Sequence, residues 1–186
     1  MTQLLTVSGS LRAGSSNGVL LTAAARVAPS GVTVTSFDGL ADLPAFNPDV
    51  EMDAALTPVA VTRWREALVS ADAVLISSPE YAHGIPGALK NALDWVVGSG
   101  ELVGKPVGLL CASSASQFAH PQLVEVLTVM SATLIPEATV VLDIPRRGAT
   151  AESLVGDPAL ASALGGVVNA LAEVSKGAPT PQLPTT

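Results

Sequence analysis

The stretch VSGSLRAGSSNGVLL, residues 7–21, leaves an apolar run and enters a helical pattern through nine residues, 9–17, that hold three serines, two glycines and one arginine. A strand that hands over to a helix through a small, polar turn is the opening of a parallel β-α-β unit. The rest of the chain repeats the alternation. Short runs rich in Val, Leu and Ile recur at 3–8, 31–37, 73–78, 105–112 and 138–144. They are of strand length and nearly continuous in apolar residues, the pattern of strands covered on both faces.

Between these runs lie helical stripes: Val19, Leu20, Ala23, Ala24 and Val27; then Trp64, Ala67, Leu68 and Ala71 behind Thr57-Pro58. Leu89, Ala92, Leu93 and Val96 form a third, and Leu160, Leu164, Val167, Leu171 and Val174 a last one behind Asp157-Pro158. The alternation predicts an α/β fold, a doubly wound five-stranded parallel sheet of order 2-1-3-4-5 with helices on both faces. In such a sheet ligands bind beyond the carboxyl ends of the strands, where the order reverses, here between strands 1 and 3. The loops at that point are GSLRAGSSN (9–17) and PEYAHGIPG (79–87), the two most unusual stretches of the chain.

Composition limits the partners. The 186 residues suit a single domain over 1–176, and the Pro-rich GAPTPQLPTT at 177–186 predicts a disordered tail. Nine basic against sixteen acidic residues, a net charge of −7, and the lack of a basic tract argue against nucleic acid. Cys111 is the only cysteine, which rules out an intrachain disulfide and argues against a cysteine-type zinc site. No basic n-region opens the chain and no apolar run has the roughly 18 residues of a bilayer span, so a cytoplasmic protein without a membrane partner is expected.

The first loop opens onto a helix N-terminus, whose unpaired N–H groups and dipole favour an anion. Ser10, Ser15, Ser16 and Asn17 add hydroxyl and amide donors, and Arg12 adds a planar cation suited to phosphate oxygens. The same turn also suits a plain cap, with Ser15 or Ser16 on the helix and Arg12 in solvent. Its place after strand 1 favours phosphate. It is neither a Walker A loop nor a G-x-G-x-x-G fingerprint, so a monophosphate fits better than ATP or a pyrophosphate. In the second loop Pro79, Gly84, Pro86 and Gly87 set a tight path suited to a flat heteroaromatic ring, although an ordinary strand-to-helix turn would read similarly.

Together, GSLRAGSSN and SSPEYAHGIPGALKNALDWV resemble the NAD(P)H-dependent FMN reductase family, a flavodoxin-like group that includes quinone and chromate reductases. The resemblance runs from strand 1 to about residue 143. It implies FMN as cofactor, its phosphate on Ser10, Arg12, Ser15, Ser16 and Asn17, and its ring wrapped by Pro79, Glu80, Tyr81, Ala82, His83 and Gly84, with Ser113 at the pyrimidine edge. It also implies NADPH or NADH as co-substrate, a small acceptor such as a quinone or free flavin, and ping-pong two-electron transfer. A one-electron carrier or flavin-binding module of flavodoxin type is the alternative. Hydride transfer at a flavin needs no protein nucleophile or metal, so no catalytic side chain and no metal ligand is assigned, and His83 is read as lining.

Two departures stand out. Many relatives carry Asn where this chain has Ala82, and a glycine-rich stretch where this chain has ASSASQFAHPQL, in which Ser114 and Ser116 could join Ser113 on the ring while Gln117, Phe118 and His120 add bulk. Cys111 reads as a buried small hydrophobe, and Arg146-Arg147 as a solvated loop or a contact for the 2′-phosphate of NADPH. The strongly apolar segment 122–131, with Trp95 on the preceding helix, predicts a homodimer or tetramer in which Leu127 and Trp95 lie at the interface.

Overall fold

The computed structural model describes residues 1–53, 55–145 and 147–176. Five strands, β1 (Thr2–Ser8), β2 (Val32–Phe37), β3 (Ala73–Ser77), β4 (Pro106–Cys111) and β5 (Thr133–Val141), form one sheet of order β2-β1-β3-β4-β5. Every pairing is parallel. The predicted architecture and strand order are the observed ones. Residues 177–186 and Arg146, for which a tail and a phosphate contact were expected, lie outside the described residues.

Strand periodicity sends alternate side chains to opposite layers. Leu5, Val7, Val74, Ile76, Val107 and Leu109 meet α3 (Val59–Ser70), α4 (Gly87–Asp94) and α5 (Ala119–Val129). Leu4, Ala73, Leu75 and Leu110 meet α1 (Ser16–Arg26), α6 (Ala151–Gly156) and α7 (Pro158–Ser175). Local chemistry starts these helices where it should. Asp157 accepts from the N–H groups of Ala159 and Leu160 ahead of α7, with Pro158 in the first turn, and Thr150 and Ser153 form a reciprocal capping box on α6. In α4, Lys90 and Asp94 pair at 2.5 Å across one turn, as their spacing predicts. By length and composition α7 could cross a bilayer, contrary to the expectation that no such segment exists; here Leu164, Val167, Val168 and Leu171 bury one face of it against the sheet.

Three further differences have identifiable causes. β5 starts five residues before the predicted run. Its partner on β4 jumps from Leu134 opposite Val107 to Thr139 opposite Leu109, a bulge that takes in Pro136. The bulge presses so close that a Cβ on Gly108 would stand 2.8 Å from that of Ala138. Residues 39–51, read as connection, contain a 3-10 turn (Gly39–Asp42) and the short α2 (Pro48–Glu51).

The third difference overturns an expectation. Trp95 and Leu127 are fully buried in their own chain's core and so cannot form the interface assigned to them. The segment 44–46 covers Trp95: its indole N–H donates to the Pro44 carbonyl at 2.8 Å, and Phe46 meets it edge-on at 5.2 Å. Asn91 holds the same segment, accepting from Phe46 N–H and donating to the Pro44 carbonyl, both at 2.8 Å.

Candidate functional site

β1, β3 and β4 end side by side, and the loops that follow them enclose an open cleft of about 340 Å³. Its lining brings together Ser10, Arg12, Ser15, Ser16 and Asn17 from the first loop, Pro79, Glu80 and Tyr81 from the second, and Ser113 from the third. Ala82, His83 and Gly84 do not line it. They form the tip of a two-residue turn at the rim, closed by N–H to carbonyl bonds in both directions between Tyr81 and Gly84 at 3.1 and 3.0 Å. Ala82 and His83 there take φ of 49° and 58°, the left-handed pair such a turn demands and which Asn or Gly adopts more readily.

Ser15 is the N-cap of α1, accepting from Gly18 N–H at 3.1 Å, while its carbonyl takes Val19 N–H. That leaves the N–H groups of Ser16 and Asn17 without a protein partner among the described residues, at the cleft. The Arg12 side chain is exposed, and its single hydrogen bond among the described residues is a long one, 3.4 Å to the Gly14 carbonyl. Asn17 is spent differently. It is buried, and its side-chain oxygen accepts from the Ser77 hydroxyl at 2.9 Å, which fixes α1 to the end of β3. Ser10 and Tyr81 bring their hydroxyls within 3.5 Å across the two loops.

Glu80 carries an unexpected role. Its Oε2 accepts from the N–H groups of Phe118 at 2.7 Å and Ala119 at 2.9 Å, with the Ser116 hydroxyl at 3.4 Å, so it occupies the N-terminus of α5. Those backbone donors hold its carboxyl below the ordinary carboxylate value. Asp143, after β5, does the same for the third loop: its carboxylate takes the Ser114 N–H at 2.6 Å and is likewise shifted down by that bond.

Ser78, Ala112 and Ala115 line the cleft without having been predicted, and Ser116, expected beside Ser113, lines it too. Adjacency of strands 3 and 4 in the order 2-1-3-4-5 was the signal that could have found them. Cys111 is buried, as expected, with its thiol toward the Ser113 carbonyl at 3.1 Å, and it also lines the cleft. Of the bulky residues in the third loop, Phe118 is exposed and stacks on the His83 ring at 4.2 Å. His120 turns inward beside Ile76, Leu109 and Leu123, where burial lowers its pKa, and so leaves the mouth of the cleft open.

A five-stranded parallel sheet with a small-molecule cleft across its first topological switch point, floored by an anion-ready helix N-terminus, defines the flavodoxin-like class of α/β proteins. Residues 2–145 match the model of one family within it, and the chain belongs to that family, the NADPH-dependent FMN reductases. It is 38% identical over 107 residues to a quinone reductase of Escherichia coli, covering 56% of each chain. It is 40% identical over 114 residues to an NAD(P)H-dependent FMN reductase of Pseudomonas aeruginosa, covering 60% of each. The aligned stretch therefore spans somewhat more than half the length of these relatives. Among solved structures, FerB from Paracoccus denitrificans, a flavoenzyme NAD(P)H:(acceptor) oxidoreductase, superposes with a TM-score of 0.80 at 27% identity over 96% of this chain and 99% of that one.

Proposed function

We propose that this chain is an oxidoreductase that binds FMN in the cleft between the loops after β1, β3 and β4, and uses NADPH or NADH to reduce a small acceptor such as a quinone. One observation carries the reading: among the described residues, two unpartnered N–H groups, on Ser16 and Asn17, share the end of the cleft with Arg12, the only cation in its lining. The residues fit the cofactor. The cleft lies within the roughly 300–1,000 Å³ of small-molecule sites, one end offers donors to a phosphate dianion, and the other end offers backbone and small side chains to a flat ring.

FMN in that position supplies hydride chemistry, with donor and acceptor using the site in turn in a ping-pong order. The protein supplies placement. Ser10, Arg12, Ser16 and Asn17 hold the phosphate, Ser15 caps the helix that presents it, and Pro79, Glu80 and Tyr81 with Ser113 border the ring. Ala82, His83 and Gly84 keep the second loop in its turn at the rim. Assembly as a homodimer or tetramer and a cytoplasmic location belong to this reading on the resemblance alone, since Trp95 and Leu127 are core residues.

The test is direct. Protein purified with FMN should be yellow, bleach on anaerobic addition of NADPH or NADH, and regain colour with a quinone; parallel double-reciprocal plots should accompany turnover. Protein that neither retains nor takes up FMN would defeat the proposal.

A further inference from the structure

α5 has no capping side chain of its own, because Phe118 stands at its N-cap position and makes no side-chain bond there. The missing cap arrives from another loop, through the Glu80 carboxylate on Phe118 and Ala119. Two further contacts join the same pair of loops: the His83–Phe118 stack and the Gln122 amide, which donates to the His83 carbonyl at 3.0 Å. Glu80 and Gln122 thus grip the loop after β3 on both sides of the left-handed pair Ala82 and His83. Non-glycine residues in that conformation persist only where the surroundings over-determine them.

We propose that Glu80 is a positioning residue, whose carboxylate clamps the loop after β3 to the N-terminus of α5 so that residues 79–81 present one fixed backbone to the flavin ring. The inference rests on the flavin reading above for its functional consequence, and on the loop contacts alone for its structural one. Three features support it. The bonds are charge-assisted and aimed at a helix N-terminus, where an anion is favoured. They leave the Glu80 carboxylate ionised and engaged as an acceptor, which removes it as a proton donor. The strained turn follows Glu80 directly, so a shift of the clamp moves the turn with it.

The experiment compares purified wild-type holoprotein with Glu80→Gln, Glu80→Ala and Gln122→Ala. Misplacement of ring-binding backbone by a fraction of an ångström should raise the FMN Kd and lower kcat by roughly tenfold in Glu80→Ala, and by roughly threefold in Glu80→Gln and Gln122→Ala, with KM for the nicotinamide little changed. Amide hydrogen exchange is the second readout and does not depend on flavin. In Glu80→Gln, protection should fall at Tyr81 and Gly84 together with Phe118 and Ala119. A lower Tm with loss of protection at Phe118 and Ala119 alone, and unchanged FMN affinity, would reduce Glu80 to a helix cap and overturn the proposal. If Glu80→Ala fails to fold, Gln122→Ala decides by the same two measurements. If wild-type protein takes up no FMN, the functional reading falls while exchange in Glu80→Gln still judges the clamp.

Discussion

Arg12→Ala separates a phosphate ligand from a surface cation. In the structure the guanidinium is exposed, forms no salt bridge among the described residues, and reaches only the Gly14 carbonyl at 3.4 Å, beyond the usual range for a strong bond. Its backbone N–H bonds Ser10 and survives the substitution. Folding stability should therefore change by no more than about 0.5 kcal/mol. A hydrogen bond to a charged partner is worth about 1.5–3 kcal/mol, so FMN should bind roughly 10- to 150-fold more weakly, while the N–H groups of Ser16 and Asn17 keep residual affinity. The assay is fluorescence titration with FMN and, in parallel, with riboflavin, which has the ring and lacks the phosphate. Riboflavin affinity should not change. Because the charge is exposed, the FMN difference should shrink as salt rises. Equal losses for the two ligands, or none for either, would refute the assignment of Arg12 to phosphate.

Ala82→Asn should stabilise the protein by about 0.5–1 kcal/mol, since Asn tolerates the left-handed backbone that Ala82 adopts at φ 49°; thermal melts read the gain. Asn91→Ala orphans the Phe46 N–H while Pro44 keeps its bond from Trp95, and should cost about 1–3 kcal/mol in urea unfolding with increased proteolysis near residues 44–53. Acid should loosen the third loop late. Glu80 and Asp143 both have folded-state pKa values lowered by backbone N–H bonds, so their stabilisation is complete above the ordinary carboxylate values and is lost only as pH falls through the lowered ones. Riboflavin affinity, free of the phosphate's own titration at about pH 6, should accordingly hold from neutral pH down to about pH 5 and fail below the ordinary carboxylate range; release already complete at pH 5 would contradict the two anchors.

The sheet and its ligand end were legible because they rest on local signals. Strands buried on both faces read as apolar runs, Pro58 and Pro158 mark helix starts, and the serines and Arg12 declare the anion loop by type alone. What escaped depends on partners distant in the chain. Trp95 looks like surplus apolar surface until residues 44–46 fold across it, and Leu127 until the sheet face receives it. The bond from the Glu80 carboxylate to the start of α5 has no local signal because its donors lie 38 and 39 residues further on. Pro136 and Glu137 argue against a strand in isolation, and only the accommodating Gly108 across the pair lets the chain run through them.

That bulge has a consequence for growth of the sheet. β5 is an outermost strand, and an outermost strand is a template on which a second chain can lay its own backbone. Pro136 interrupts the row of donors along it, Glu137 sets an exposed charge beside the gap, and the shift from Leu134 to Thr139 breaks the even spacing that an incoming strand would have to match. An added strand could pair with a few residues on either side of the irregularity and with no continuous length of it. The β5 border is therefore protected against runaway strand addition by the same kink that Gly108 accommodates, and a partner molecule approaching there must engage side chains instead of extending the ladder.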